Sequence, residues 1–473
     1  MKKFYITTPL YYVNGKPHLG HSYTTIAADV LARFYRSKKK EVFLLTGTDE
    51  HGSKIEEAAE QNDTTPDLWA DEIVKDFKAL WKRLDISYDD FIRTTEDRHI
   101  EMVQEVFSKL LKQGDIYKGK YSGWYCVACE SFCTDSQVVN GKCPDCSKPV
   151  SQLEEESYFF KLTKYQAQLL EYFEKNPGFL QPSWRSSEMV NFVKLGLRDL
   201  SVSRTQVKWG IPVPGDESHT IYVWFDALIN YISAARDRDI WPCDIHFVGK
   251  EIFKFHTVIW PAMLMAFGLP LPEKVFAHGW WTVNGDKMSK SKNNFIDPHA
   301  FIDKYGSDAY RYFVLRQIPF GQDGDFSEAS FADRYNSDLA NNLGNLVSRS
   351  FSMLNKYSLN DIAPHADVET KLGKLQAELP EKFEKSMEKI EFHSCISLLW
   401  EIIDESNRTI DSEKPWALYK TDKQKLAKVM ANILAGVVAV SEYIGCFMPQ
   451  TSEKIKKIIK EKKVTEPLFP RII

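Results

Sequence analysis

Hydrophobic positions change their period along the chain. In the first part, short apolar runs alternate with amphipathic stretches. KFYITT (3–8) reads as a strand, PLYYVNGKPHLGH as a loop, and 22–37 as a helix with Ile26, Val30 and Phe34 on one face. EVFLLTGTDEHG (41–52) is a second strand ending in a polar loop, and 53–59 starts another helix. Strand, loop and helix repeated at this spacing predict a parallel α/β sheet. Both polar loops fall just after a strand, where such sheets gather ligands.

Helical patterns continue over 67–84 and 96–113, and then 114–146 breaks into turns, cysteines and short strands. YFFKL (158–162) resumes a strand, and DIHFVG (244–249) is a short buried one followed by a helix from 250 to 267. From Phe331 onward no strand pattern remains. Helical periods over 337–356, 372–389, 391–411 and 423–448 predict an all-helical second domain.

Composition narrows the class. The 473 residues are too many for one ordinary core and suggest two to four domains. With 61 Lys and Arg against 65 Asp and Glu, the net charge of -4 argues against a bulk nucleic-acid coater. It does not exclude an enzyme that acts on nucleic acid through a local basic face. No uninterrupted apolar run approaches 18 residues, so no membrane-spanning helix is expected. The start lacks the apolar run of a secretory leader, and the cysteines are not spread as in a disulfide scaffold. A reducing, cytoplasmic setting is the expectation.

Five of the eight cysteines fall between 126 and 146. Cys126/Cys129 and Cys143/Cys146 form two C-x2-C pairs that predict one closed tetrahedral site for a structural Zn2+. Cys133 lies between them without such a partner and is read as a bystander.

His18 and His21 flank Gly20 at the start of the first predicted helix, where amide donors and the macrodipole favour phosphate. Lys287 and Lys290, just after the turn at Gly285, are compact positive charges suited to a leaving pyrophosphate. Two histidines near a helix start, or one short lysine run, mean little in isolation. No Walker loop or dinucleotide fingerprint is present. Trp224, Ala227, Leu228 and Tyr231 recur near helical spacing, and Ile252, His256 and Trp260 lie at i, i+4 and i+8. Polar tips among large apolar groups suit a small apolar ligand, and a thioether gains about 0.3–1.5 kcal/mol per aromatic contact. An aromatic stripe of this kind is otherwise ordinary core.

Taken together, the chain resembles the class I aminoacyl-tRNA synthetases, whose signatures read here as His18-Leu19-Gly20-His21 and KMSKS (287–291). PLYYVNGKPHLGH, TGTDEHG, YVWFDALINY, FVGKEIFKFHTVIWPA and HGWWTVNGDKMSKS resemble the methionyl members in particular, in a form with a single four-cysteine zinc knuckle and without the C-terminal tRNA-binding module. The resemblance implies a Rossmann-like parallel catalytic sheet split by a zinc-binding connective insert and followed by a helical anticodon-binding bundle. The expected division is 1–116 and 217–275 for the two catalytic halves, 117–156 for the knuckle and 157–216 for the rest of the insert. The KMSKS-loop region takes 276–335, the anticodon-binding domain 336–460 and the tail 461–473.

The implied activity is methionine–tRNA ligation, serving initiation and elongation. L-Methionine and ATP, the latter carrying Mg2+, form methionyl-adenylate, and the methionyl group then passes to tRNA(Met), including the initiator. The resemblance places methionine against Pro9, Leu10, Tyr12, Trp224, Ala227, Leu228, Tyr231, Ile252, His256 and Trp260, with Asp49 on its ammonium. Leu228 and Pro9 stand where family members often carry other residues of similar size. ATP is assigned to His18, Gly20, His21, Gly249, Glu251, Gly279, Lys287, Met288 and Lys290. His18, His21, Lys287 and Lys290 are the catalytic set. Asn341, Asn345, Arg349 and Trp416 are expected to meet the anticodon. A monomer is expected, or one subunit beside a separate tRNA-binding polypeptide. The rival readings are another zinc-bearing class I synthetase of the cysteinyl or valyl type, which a large editing domain or a pocket thiolate metal would favour, and a non-catalytic paralogue, which damaged signature loops would favour. Neither feature occurs here.

Overall fold

The computed structural model describes residues 3–126, 131–133, 138, 140–144, 147–287 and 294–472. The chain divides into two compact units, one of residues 1–16, 45–75 and 89–277 and the other of 17–44, 76–88 and 278–473.

The first unit contains most of a seven-stranded sheet. Its strands are β1 (Phe4–Thr7), β2 (Tyr11–Tyr12), β3 (Val42–Asp49), β4 (Asp90–Arg93), β5 (Leu180–Gln181), β6 (Ile245–Gly249) and β7 (Val275–His278). They run in the order β2–β3–β1–β6–β7–β5, with β4 also on β3. The β1–β6, β2–β3, β3–β4 and β7–β5 pairs are parallel. Every residue of β3 and of β6 is buried, as expected of strands covered on both faces. Gly47 lets β3 and β4 close up, since a Cβ there would lie 1.9 Å from the Ile92 carbonyl oxygen. The Rossmann-like parallel sheet is thus present.

The connective insert is an antiparallel ribbon. Ile116–Cys126 pairs with Ser151–Phe160 from Ile116 opposite Phe160 to Tyr125 opposite Ser151, and Ser131–Cys133 and Leu200–Ser201 flank it.

In the second unit, Leu19–Ser37 is the first helix, and Trp281–Val283 with Asp286–Lys287 forms a hairpin. The hairpin turns at Asn284 and Gly285, both at positive φ (51° and 81°), the backbone that an Asn-Gly turn supplies without strain. The helical bundle contains Lys371–Glu388, Phe392–Glu413, Lys423–Tyr443 and Pro449–Glu461. Among the described residues no strand follows 331, as the sequence predicted.

Two helices depart from expectation. The segment expected to be one α-helix from 250 runs instead as a 3-10 turn (Lys250–Ile252), a π-helical stretch (Phe255–Ile259) and then α-helix Trp260–Phe267. The segment 337–356 is π-helical over Tyr335–Gly344 before α-helix Asn345–Lys356. Contrary to the expectation from uninterrupted runs, Lys423–Cys446 is long and apolar enough to cross a membrane by length and composition. Much of it is buried among the neighbouring helices, as a core helix is.

Candidate active site

The first helix starts three residues earlier than its apolar period suggests, because His18 caps it. Gly20 N–H donates to His18 Nδ1 (3.1 Å) and His18 N–H donates to His21 Nδ1 (3.3 Å), making a capping box from two imidazoles. Each Nδ1 is an acceptor, so the proton of each neutral ring sits on Nε2. The rings stack with centroids 3.8 Å apart. Burial lowers the pKa of His18 to about 4, and burial together with His18 holds His21 well below the usual imidazole value. Gly20 gives the ring room: a Cβ would stand 3.0 Å from His18 Cε1. The helix start thus combines a macrodipole with two neutral N–H donors, an arrangement suited to phosphate.

The same helix is anchored at Asp29, which is fully buried and ion-paired with Arg311 (2.7 Å). Arg311 is itself buried and also donates to the carbonyls of Leu84, Cys446 and Phe447. Burial would raise the Asp29 pKa, but Arg311 and Arg33 hold it below the usual carboxylate range.

In the first unit, Asp49 ends β3, its backbone paired with Tyr12 and its carbonyl accepting from Val13 N–H. The two residues after it are fastened. Glu50 is buried and takes a two-pronged ion pair from Arg93 (2.7 and 2.9 Å). His51 Nδ1 lies 2.7 Å from Asp226, whose other oxygen meets His99 Nε2 at 2.7 Å. Burial would raise the Asp226 pKa, and the two histidines bring it below the usual value. None of Glu50, His51, Arg93, His99 or Asp226 was singled out from the sequence. Charged letters inside the otherwise apolar LLTGTDEHG and VWFDAL were the available signal, since buried charge must be paired.

The aromatic residues converge. Tyr231 hydroxyl lies 2.7 Å from His256 Nε2, and His256 Nδ1 is 3.0 Å from the Ile252 carbonyl. The carbonyl can only accept, so His256 donates from Nδ1 and accepts the Tyr231 hydroxyl at Nε2. Burial lowers the His256 pKa to about 4, keeping the ring neutral. Trp260 packs 5.9 Å from Tyr231, and Trp224 stacks on Phe255 at 4.0 Å. The π-helical stretch sits between Ile252 and Trp260, a placement common at functional sites. Ala227 and Leu228 are buried in the short helix Val223–Leu228. Pro9 is buried and Leu10 half-buried, with Leu10 close over Gly47. Tyr12 carries the Lys54 ammonium 5.2 Å above its ring.

Gly249 ends β6, where a Cβ would run into the Glu251 carboxylate (2.3 Å). Gly279 follows β7, where a Cβ would meet the Gln322 carbonyl oxygen at 2.2 Å. Close packing against backbone thus accounts for the glycine at 279, whereas at 249 the Glu251 side chain could swing aside. Lys287 ends the hairpin by its backbone. Met288 and Lys290 lie outside the described residues.

The four-cysteine expectation is corrected. Among the described residues, no group of three or more His, Cys, Asp and Glu could hold a metal. Cys126 and Cys143 are instead buried together with Cys133, packed by Trp124, Val138 and Val150. Cys133 Sγ is 3.9 Å from Cys143 Sγ, so Cys133 packs within this cluster. Cys129 and Cys146 lie outside the described residues.

Asn341 and Asn345 are exposed, but the π-helical stretch places Asn341 outside the α-helix that carries Asn345 and Arg349. Arg349 pairs with Asp411 at 2.7 Å. Trp416 stands second in helix Pro415–Thr421 and is 46% exposed, which suits a stacking surface better than a core position.

Residues 4–152 and 148–351 match a family described as tRNA synthetases class I (M), and 362–468 match the anticodon binding domain of methionyl tRNA ligase. The methionine–tRNA ligase of Caldanaerobacter subterraneus subsp. tengcongensis is 50% identical over 99% of this chain and 75% of its own length. That of Clostridium acetobutylicum is 48% identical over 96% and 73%. Mycobacterium tuberculosis methionyl-tRNA synthetase, solved in complex with methionyl-adenylate, superimposes with a TM-score of 0.93 at 36% identity, each chain covered completely. The anticodon-binding domain expected in the helical bundle is thus matched at 362–468, and the expected form of the family is corrected at its zinc knuckle, since no metal-holding cluster occurs among the described residues. With catalytic and anticodon-binding families matched in order along almost the whole length, the chain belongs to the methionyl-tRNA synthetases of class I.

Proposed function

We infer that the chain is a methionine–tRNA ligase. It activates L-methionine with ATP and Mg2+ and then charges tRNA(Met). The observation that carries this reading is the end-to-end superposition on a synthetase holding methionyl-adenylate. A methionine carboxylate oxygen bonds to the α-phosphorus of ATP, and the bond to the β-phosphate oxygen breaks, releasing pyrophosphate. A ribose hydroxyl of the terminal tRNA adenosine then attacks the activated carbonyl, and AMP leaves.

In this reading the Nε2–H groups of His18 and His21 bind the phosphates and stabilise charge that builds up at the transition state. Lys287 and Lys290 accompany the departing pyrophosphate, and Met288, Gly20, Gly249, Glu251 and Gly279 border the nucleotide. Asp49 holds the substrate ammonium. Its position at the end of β3, between the chain at Tyr12–Val13 and the fastened Glu50–His51 pair, supports that role. Pro9, Leu10, Tyr12, Trp224, Ala227, Leu228, Tyr231, Ile252, His256 and Trp260 enclose the side chain. No covalent protein nucleophile is required; positioning and charge stabilisation suffice. Asn341, Asn345, Arg349 and Trp416 read the anticodon, with the exposed Trp416 ring stacking on an unpaired base. Amino-acid-dependent ATP–pyrophosphate exchange tests the reading: strong exchange with methionine and weak exchange with leucine or cysteine supports it.

A further inference from the structure

Behind the aromatic cluster lies a residue that no role assigned so far includes. His246 sits on β6, opposite Thr7 of β1, and is fully buried. Its Nε2 receives the Trp260 indole N–H at 3.3 Å. An indole nitrogen can only donate, so Nε2 must carry the lone pair and the proton must sit on Nδ1. That proton faces the Thr7 hydroxyl 2.6 Å away, with Cys243 Sγ 3.6 Å from the same nitrogen. The imidazole also packs against Tyr231, with centroids 4.2 Å apart. A single tautomer therefore touches Trp260 through a hydrogen bond and Tyr231 through its ring face.

Tyr231 is fixed from its other side as well. Its hydroxyl meets His256, and its carbonyl accepts the Tyr5 hydroxyl at 2.9 Å. The Trp260 indole packs against Tyr231 and Trp241, and the bond to His246 adds a directional hold on its rotation. An apolar pocket separates ligands differing by one methylene only modestly, so small rotations of its aromatic walls matter for what it accepts.

We propose that His246 is a positioning residue for methionine: as the Nδ1–H tautomer it locks the Trp260 indole and backs the Tyr231 ring, and so fixes the pocket wall against the side chain of the amino acid. The proposal rests on the methionine reading above. The two nitrogens can be mimicked separately. His246→Gln can keep an acceptor for Trp260, His246→Asn keeps a donor near Thr7, and His246→Leu keeps neither.

The test is ATP–pyrophosphate exchange with each variant of the full chain, with KM measured separately for methionine and for ATP. Loss of one hydrogen bond predicts a methionine KM raised about ten-fold in His246→Leu and His246→Asn. In His246→Gln it stays close to wild type, and the KM for ATP is unchanged in all three, which also shows that they fold. A methionine KM that stays put in His246→Leu, or rises together with that for ATP, overturns the proposal while the methionine reading stands. A wild-type chain active with a different amino acid and not with methionine overturns the reading, and this proposal with it.

Discussion

The imidazoles of His18 and His21 stack 3.8 Å apart, and each uses Nδ1 to accept a backbone N–H from the helix start. The histidines therefore hold the helix terminus with one nitrogen and keep the other as a donor. Asparagine separates the two roles, because it caps helices well but lacks a donor at the Nε2 position. His18→Asn is expected to keep its melting temperature close to wild type while the exchange kcat falls about a hundred-fold. His18→Ala should lose activity similarly and also about 1 kcal/mol of stability. Equal activity in His18→Asn and wild type would show that the ring serves only as a cap.

The buried state of these rings has a pH signature. Folded His18 titrates near 4, lowered by burial, whereas in the unfolded chain it takes a proton at about 6.5. Between those values the unfolded chain binds more protons, so stability falls as pH falls through that window. Above pH 6.5 the contribution is flat. The difference in melting temperature between wild type and His18→Asn is expected to shift in favour of the variant from pH 7 to pH 5. A difference independent of pH contradicts a neutral His18 in the folded chain.

Asp29 and Arg311 are each fully buried. Removing Arg311 leaves the buried Asp29 with Arg33 as its remaining ion partner, and breaking a buried pair costs at most about 3–5 kcal/mol. Arg311→Met should therefore lower the melting temperature strongly, and the added change Asp29→Asn should recover part of the loss. Thermal unfolding of the three variants reads this directly; no recovery in the double variant would show that the carbonyl contacts of Arg311 dominate.

The Glu50–Arg93 pair is expected to matter for substrate through the neighbouring Asp49. Arg93→Met leaves the Glu50 carboxylate buried without its guanidinium and frees the loop after β3. The methionine KM should rise several-fold more than the KM for ATP, as read by exchange kinetics. Equal increases would mean that the pair supports the fold alone.

Trp416 is exposed, and truncating exposed side chains usually changes stability by less than about 0.5 kcal/mol. Trp416→Ala is expected to leave methionyl-adenylate formation unchanged and to reduce tRNA charging by at least about ten-fold, the loss of one base stack. Equal reduction of both reactions would place Trp416 in the packing of the bundle.

The sequence was most legible where chemistry is local. Period and turn residues marked β1, β3, β6 and the bundle helices within a few residues, and the signature loops and the Asn284–Gly285 turn could be read directly. Contacts between distant segments could not be. His18 as a cap moved the helix start, because a side chain replaced the apolar period as the boundary signal. The π-helical stretches at Phe255–Ile259 and Tyr335–Gly344 have no distinct apolar period, so both read as α-helix. His51 with Asp226, and His246 with Trp260, meet only through the sheet topology. The cysteine spacing suggested a metal site, yet the described Cys126, Cys133 and Cys143 pack as an apolar cluster.

The central claim is methionine activation, and amino-acid-dependent ATP–pyrophosphate exchange on the purified chain tests it most directly. Rapid exchange is expected with L-methionine and far slower exchange with leucine or cysteine at equal concentration. Equal rates with all three, or no exchange with methionine, would contradict it.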